Sequence, residues 1–533
     1  MNDKSTVPTR HQDCYLLPSG FSLDLLAPIL EKQFHCSLEP VGKYRKVFYD
    51  TFDWRLYRQG MVLTSLQEGT KQKLSLENLS DGQVKAVAPL AGSGQTLPGL
   101  DVMPSALRNA IAPVIAMRAL LPVVELCGDL QKLMLRNKHD KLVMRLVVEQ
   151  DSVVKDLDGQ SHVLPGRIIL QPVRGFPTAP AQVRRVLENQ PGLEPCRLSL
   201  LDMALQITGR HACDYSSKMK LKIDPESESD QAVKKILQHL LSAMETNEPG
   251  MLENLDSEFL HDYRVAVRRI RSILSQMKTA IPENEFSFFK AEFAWLGEVT
   301  TPARDLDVYL LEFENLQLHL QPDMRDALLP FRDFIQAQLQ QAYTDLNKAI
   351  HSVRYKKLKQ RLTKFINSKI RQQVVAPDAK KTIHSQSDKR IWRCYSRVVR
   401  EAERLTPVSP ADDYHELRKS CKKLRYLLEF FQYLYPEKEI AQLIQQLKLL
   451  QDNLGEFQDM DVQSIALRHY AKMMAEQGIN NADTFMVMGI LANGMEQKKI
   501  ELKNAFGKCY EKFSRKKYQQ LFARLFKPKA KHA

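Results

Sequence analysis

Between residues 261 and 271 the chain reads HDYRVAVRRIR, one histidine and four arginines with Asp262 as the single acid. A guanidinium presents its donors as a rigid fork that matches phosphate and carboxylate oxygens, so arginines repeated along one helix face suit the holding of a polyanion. At about 100° per residue His261, Arg264, Arg268 and Arg271 share one arc, with Arg269 on its flank. Tyr263, Val267, Ile270, Ile273 and Leu274 fall on the opposite side, where an apolar face would meet a core.

The pattern returns 154 residues later. His415-Glu416-Leu417-Arg418 matches His261-Asp262-Tyr263-Arg264, and the same shift pairs Lys422 with Arg268, Lys423 with Arg269 and Arg425 with Arg271. It then pairs Asp459-Met460-Asp461-Val462 with Asp305-Leu306-Asp307-Val308. A looser match, RYKKLKQRL from Arg354 and KYQQLFARL from Lys517, closes each copy. A register held this long marks an internal duplication. Each basic row spans about 15 Å at 1.5 Å per residue. A solvated charged face usually interleaves acids at i,i+4, and none stands among the ladder positions. Two such rows facing one another repel unless an anion lies between them.

The rest of the chain must position these rows. Its 533 residues suffice for two or more domains. Lys and Arg number 77 against 63 Asp and Glu, a net charge of +14, which favours a polyanionic partner: nucleic acid, a phosphate polymer or an anionic membrane. Of that excess, +4 falls in the first 210 residues and +10 in the remainder. The eight cysteines are scattered without a CxxC pair, so neither disulfides nor structural zinc are expected. No apolar signal core opens the chain and no uncharged apolar stretch of spanning length follows, which predicts a cytoplasmic protein without a membrane segment.

Up to about residue 210 the sequence is built of short alternating segments such as KVFYDT, KQKLSLENLSDGQ and RIILQPVRGFP, joined by Asp-Gly turns. They predict a mixed, mostly antiparallel sheet with a few short helices. From about residue 226 long helical periodicity takes over, in about ten helices. The expected organisation is a sheet domain over 1–210, a linker over 211–225, a duplicated all-α bundle over 226–527 with copies at about 226–375 and 385–527, and a tail over 528–533.

His-Asp-x-Arg-Val-Ala-x-Arg-Arg-x-Arg, followed by Arg-Asp-Leu-Asp-Val, resembles the CHAD domain, the conserved histidine α-helical domain. The resemblance covers both copies. It implies a pseudo-twofold helical bundle whose basic channel binds inorganic polyphosphate, and it assigns His261, Arg264, Arg268, Arg271, His415, Arg418, Lys422 and Arg425 to the polymer. Arg269, Lys423, Arg354 and Lys517 are weaker candidates, and Asp305 and Asp459 are expected to cap helices or orient arginines. A partner of this kind brings association with polyphosphate granules as a further expectation.

The first half is similar to the CYTH, or triphosphate-tunnel, fold through Phe48-Tyr49-Asp50-Thr51 with Leu56 and Gly60. The fold class is thus α+β for this CYTH-like tunnel barrel, followed by the all-α duplicated bundle. Active members of that family hold metal and triphosphate on Glu-x-Glu strands. The matching places here read Asp13-Cys14-Tyr15-Leu16-Leu17 and Ile168-Ile169-Leu170-Gln171, without either carboxylate pair. A hard cation needs such oxygen ligands, so no catalytic residue and no resident metal are assigned. Lys71, Lys73, Arg118, Arg136 and Arg145 stand as surface or lining cations. The alternative is a metal-dependent inorganic triphosphatase, and magnesium or manganese enters only under it. Nucleic acid is disfavoured, because the ladder positions carry no aromatic side chains for base stacking.

Overall fold

The computed structural model describes residues 14–18, 20–90, 100, 103–156, 158–217, 219, 221–368 and 376–528. Asp13 and residues 529–533 of the expected tail lie outside them. The chain divides into two compact units, Met1–Ser216 and Ser217–Ala533.

The first unit is one curled antiparallel sheet, a half-barrel with short helices. In chain order its elements are β1 (Cys14–Leu16), α1 (Leu23–Leu30), β2 (His35–Leu38), β3 (Gly42–Asp50), α2 (Arg55–Arg58), β4 (Met61–Glu68), β5 (Lys71–Asn78), β6 (Val84–Pro89) and α3 (Ser105–Ile115). They continue as β7 (Leu121–Arg136), β8 (Leu142–Lys155), β9 (Ser161–Val163), β10 (Arg167–Pro172), α4 (Ala179–Glu188), β11 (Glu194–Pro195) and α5 (Leu200–Ile207). The strand order is β11-β1-β10-β8-β7-β3-β4-β5-β6, with β2 added to β7 and β9 to β8. Side chains alternate across a strand. Met144, Leu146 and Val148 of β8 therefore join one core with α1 and α4, while Val147 joins Tyr44 and Leu130 on the other face.

Glu149 lies on that second face, buried, 2.7 Å from Lys46 Nζ and 2.7 Å from Arg167 Nη2. The Tyr-Asp-Thr segment is a capping device. The Asp50 carboxylate accepts from the backbone N–H groups of Thr51, Leu56 and Tyr57, closing the turn into α2.

The second unit is helical: α6 (Ser229–Leu252), α7 (Ser257–Gln276), α8 (Glu283–Leu311), α9 (Phe313–Leu318), α10 (Leu329–His351) and α11 (Val353–Asn367), then α12 (Ile383–Ala402), α13 (Ala411–Phe431), α14 (Glu437–Glu476), α15 (Ala482–Phe513) and α16 (Lys516–Phe526). The two closing segments anticipated from sequence are α11 and α16. Asp256 starts α7 by accepting from the N–H groups of Glu258 and Phe259. Pro410 precedes α13, whose first turn carries Asp412 and Asp413 against the positive end of the helix dipole.

Residues separated by the repeat shift touch one another in two places. Glu228 and Thr382, which begin α6 and α12, form an antiparallel bridge, and Tyr309 donates through its hydroxyl to the Gln463 carbonyl at 3.3 Å. Contact between equivalent positions is the mark of a twofold relation, so the two copies meet about a local pseudo-twofold axis. The anticipated apolar backs of α7 and α13 are in the core: Tyr263, Ile270 and Ile273, like Leu417, Cys421 and Leu424, are fully buried. All eight cysteines are free thiols. No helix among the described residues is long and apolar enough to cross a membrane.

Two substitutions test this packing. An alanine methyl at Gly250 of α6 would lie 2.5 Å from the buried ring of Phe259. Gly250→Ala should therefore destabilise the helical unit by about 1–3 kcal/mol in chemical denaturation, despite the helix propensity that alanine brings. In the sheet unit, Lys46 and Arg167 offset the burial of Glu149 and hold its carboxyl down at about 2. A depressed carboxyl stabilises the fold above its unfolded value of about 4.5, and that contribution disappears as pH falls toward 2. Glu149→Gln should cost about 3–5 kcal/mol at neutral pH and flatten the acid limb of the stability curve.

Candidate functional site

A cavity of 1390 Å³ opens on the pseudo-twofold axis of the helical unit. Its lining contains equivalent residues from both copies: Arg264 with Arg418, Arg304 with Gln458, Asp305 with Asp459, Val308 with Val462 and Tyr309 with Gln463. His261, Arg268, Lys419 and Lys498 add cationic or titratable groups, and Asp452, Glu456, Glu312 and Glu501 add carboxylates. The cavity is therefore cationic on the α7/α13 side, with acids contributed by α8, α14 and α15.

Arg264 is half-buried on α7, and its Nη1 donates to the Gly297 carbonyl at 3.1 Å, to Thr300 Oγ1 at 2.7 Å and to Thr301 Oγ1 at 3.0 Å. These acceptors are neutral, so they fix the guanidinium without cancelling its charge. Burial, then the Arg268 guanidinium, pushes Arg264 down to about 10. Arg418 is held instead by Asp459 at 3.6 Å, and burial lowers it as well. Arg264, Arg268 and Arg304 make no ion pair among the described residues.

Arg268 is exposed, and its charge reaches both copies. It depresses Arg264 on its own helix, and Arg418 and Lys422 on α13. Lys422 is pushed down to about 8, by burial first and then by Arg418 and Arg268. The rows that wheel geometry drew separately thus face one another.

Of the eight ladder residues, His261, Arg264, Arg268 and Arg418 line the cavity. His415, Lys422, Arg425 and Arg271 do not. His415 Nε2 lies 3.0 Å from Asp461 Oδ2, and Lys499 shares that carboxylate. Asp307, the equivalent of Asp461, accepts instead from the Tyr343 hydroxyl at 2.9 Å, and burial pushes its carboxyl up to about 6. Asp461 and Asp307, equivalent in the repeat, therefore serve different partners. Arg425 bonds Glu429 at 2.7 Å and Gln451 at 3.3 Å. Arg271 runs over Gly297, where a side chain would meet its Nη1 at 2.8 Å.

The weaker candidates serve elsewhere. Arg269 bonds Glu429 of the other copy at 3.1 Å and acts as a clamp between α7 and α13. Arg354 pairs with Glu292 at 2.7 Å and lies over the Trp295 ring, and Lys517 lies over the ring of Tyr518; neither lines the cavity. Lys423 is half-buried one turn beyond Lys419 and is also absent from the lining. Asp305 and Asp459 sit inside α8 and α14, so neither is a cap; both line the cavity, and burial raises both carboxyls. In the sheet unit Arg118 is buried against Asp53 at 3.7 Å, and Arg136 reaches Asp140 at 3.9 Å.

Lys419 was missing from the residues picked out by sequence. It stands about 40° from His415, inside the basic arc, but its equivalent is Val265, so the repeat did not point to it. Arg304 also lines the cavity, and its equivalent in the repeat is Gln458.

The fold is that of a duplicated helical bundle that follows an antiparallel sheet unit in the chain. A family model described as the CHAD domain matches residues 235–468, and the chain carries a CHAD domain there. Similar solved structures include the CHAD domain from the plant Ricinus communis, at 25% identity over 55% of this chain and 95% of that one, with a TM-score of 0.47. PptA from Streptomyces chartreusis is similar at 14% identity over 54% of this chain and 100% of that one, with a TM-score of 0.42. A Hippeastrum protein of the adenylyl cyclase type, described as having a dominant triphosphatase activity, is similar at 13% identity over 38% of this chain and 98% of that one, with a TM-score of 0.26. No significant match was found among curated proteins.

Lys422 provides the test of this electrostatic picture. Its ammonium has a folded value of about 8 against 10.5 in a free side chain, so the unfolded chain binds the proton more tightly. Stability should rise with pH between about 8 and 10.5, and the penalty is fully present below 8. Lys422→Met should raise stability at pH 7 by about 1–3 kcal/mol, and the gain should shrink toward pH 10.5. A variant no more stable than the parent at pH 7 would mean that the ladder is not under like-charge strain.

Proposed function

We propose that the cavity of the helical unit binds inorganic polyphosphate without turning it over. The observation that carries this reading is the gathering of Arg264, Arg268, Arg418 and Lys422 across two helices, where burial first, and then Arg418 and Arg268, push Lys422 down to about 8 despite Asp459 nearby. A chain of phosphates supplies counter-charge along its length, and the forked donors of three arginines fit its oxygens. The lining also holds the apolar side chains of Val308, Val462 and Leu491. Attachment to polyphosphate granules would follow from the same contacts.

In the sheet unit, Glu149 is engaged by Lys46 and Arg167, so these two cations already have a carboxylate partner. We read the unit as a module without triphosphate turnover. Nucleic acid remains the competing polyanion, and base stacking is the contact that would favour it.

The measurement is polyphosphate affinity against salt and pH. Arg268→Ala with Arg418→Ala should weaken binding at least about tenfold and reduce the slope of log affinity against log salt by about 1–2, because each neutralised phosphate releases counterions. A bound anion raises the Lys422 value, so binding takes up protons. Affinity should fall several-fold as pH rises from 7 through 9, and Lys422→Arg should flatten that dependence. An unchanged salt slope in the double variant would remove the cavity from the site. Orthophosphate release from tripolyphosphate with magnesium or manganese would assign turnover to the protein instead.

A further inference from the structure

The outer face of α12 carries a second row of cations. Lys389, Arg393, Arg397 and Arg400 lie within an arc of about 80° and span about 17 Å along the helix. Arg404 follows in the turn beyond its end. All five are exposed, and none makes a hydrogen bond or ion pair through its side chain among the described residues. The helix has acids, but they serve other contacts or flank the row: Asp388 accepts from Tyr435, and Glu401 and Glu403 lie to either side.

The fold does not require this row. The same positions of α6, 154 residues earlier, are Lys235, His239, Ala243 and Thr246, and the position matching Arg404 is Gly250. Four positions, Arg404 included, are thus arginine in one copy of a scaffold that folds without them in the other. The packing of α12 is carried by its opposite side, where Ile391, Cys394, Tyr395 and Val398 are buried and Tyr395 stacks on Phe522 at 3.9 Å between ring centres.

The row lies on the helix next to the cavity wall. Lys419 lines the cavity and Lys423 stands one turn further along α13, and α12 packs against α13, with Cys394 Sγ 3.6 Å from the Ser420 carbonyl. The α12 cations are thus carried by the neighbour of the helix that holds Lys419 and Lys423.

We propose that the α12 row is a second anion track, which takes the portion of a long polyphosphate chain that extends beyond the cavity. The inference rests on the cavity reading for the choice of polymer. A linear phosphate chain carries charge on every unit and is too long, beyond a few units, for the cavity to neutralise alone; an exposed row of unopposed arginines offers the continuation. The row should add affinity through linkage of two sites on one ligand, so it should matter only for ligands long enough to reach both.

The full-length protein is titrated with tripolyphosphate and with long-chain polyphosphate over a range of salt. The variant Lys389→Ser, Arg393→Ser, Arg397→Ser, Arg400→Ser is compared with the cavity variant Arg268→Ser, Arg418→Ser. The α12 variant should lose about tenfold or more in affinity for the long chain and about 3 in salt slope, while keeping parental affinity for tripolyphosphate. A charge-preserving set with lysine at the three arginine positions should keep most of the long-chain affinity, and thermal melts should match the parent. Parental long-chain affinity and slope in the serine variant, with the cavity variant impaired, would overturn the track and leave the cavity reading standing. Loss of long-chain binding in the α12 variant alone, with the cavity variant parental for both ligands, would overturn the cavity reading and leave the row as a site in its own right. Equal loss of tripolyphosphate and long chain in the α12 variant would overturn the track, because a short ligand in the cavity should not sense it.

Discussion

Like-charge repulsion between α7 and α13 is the constraint around which the helical unit is built. Two unit charges several ångströms apart at a protein surface repel by a few kcal/mol, and here Arg264, Arg268, Arg418 and Lys422 do so together. What holds the helices in place is on their other faces. Tyr263, Val267 and Ile270 of α7 and Leu417, Leu424 and Leu427 of α13 are buried, each contributing on the order of 1.5–3 kcal/mol. Glu429 adds a polar clamp by accepting from both Arg269 and Arg425. The charges are thus confined by packing and by a clamp set away from the cavity, which leaves Arg264, Arg268 and Arg418 in its lining.

The choice of partners for each arginine follows the same logic. Thr300, Thr301 and the Gly297 carbonyl position Arg264 with neutral oxygens. A carboxylate in their place would bind it more strongly and cancel what makes it useful toward an anion. Asp459 does stand near Arg418, at the looser distance of 3.6 Å, and burial raises its carboxyl and that of Asp305. Both effects weaken the opposition that these acids offer. The site is preorganised, with part of the stability of the bundle exchanged for a fixed arrangement of charge.

Much of this was legible in the sequence, and the limits are physical. Period and repeat shift located α7 and α13 and told their buried faces from their basic ones, because amphipathicity is a property of one helix. The CHAD resemblance followed from the same stretch, and the change of texture from alternating segments to long helical periods placed a linker at 211–225, where the compact units divide between Ser216 and Ser217. Which cation meets the cavity depends on other helices. Arg425 and Arg269 share an arc with the ladder but are drawn to Glu429, which wheel geometry could not rank. Lys419 sat inside the arc and was hidden by the reliance on equivalence, since its counterpart is Val265. In the sheet unit Glu149 stood in a strand whose neighbours are apolar, and only the pairing of β8 with β10, together with Lys46 of β3, shows why a charge is tolerated there.

Duplication made the cavity symmetric, and divergence has made it directional. His415 and Lys499 share the Asp461 carboxylate, and of the two ladder histidines it is His261 that lines the cavity. Arg268 has become Lys422, a group whose protonation can respond near neutral pH where an arginine cannot. Lys419 and the α12 arginines belong to the second copy alone. A linear phosphate chain is chemically alike in both directions, so a symmetric cavity would give it no preferred side of exit. An excess of cations on one copy supplies that side without altering the axis on which the cavity is built, which is why the departures from the repeat carry as much of the functional argument as the repeat itself.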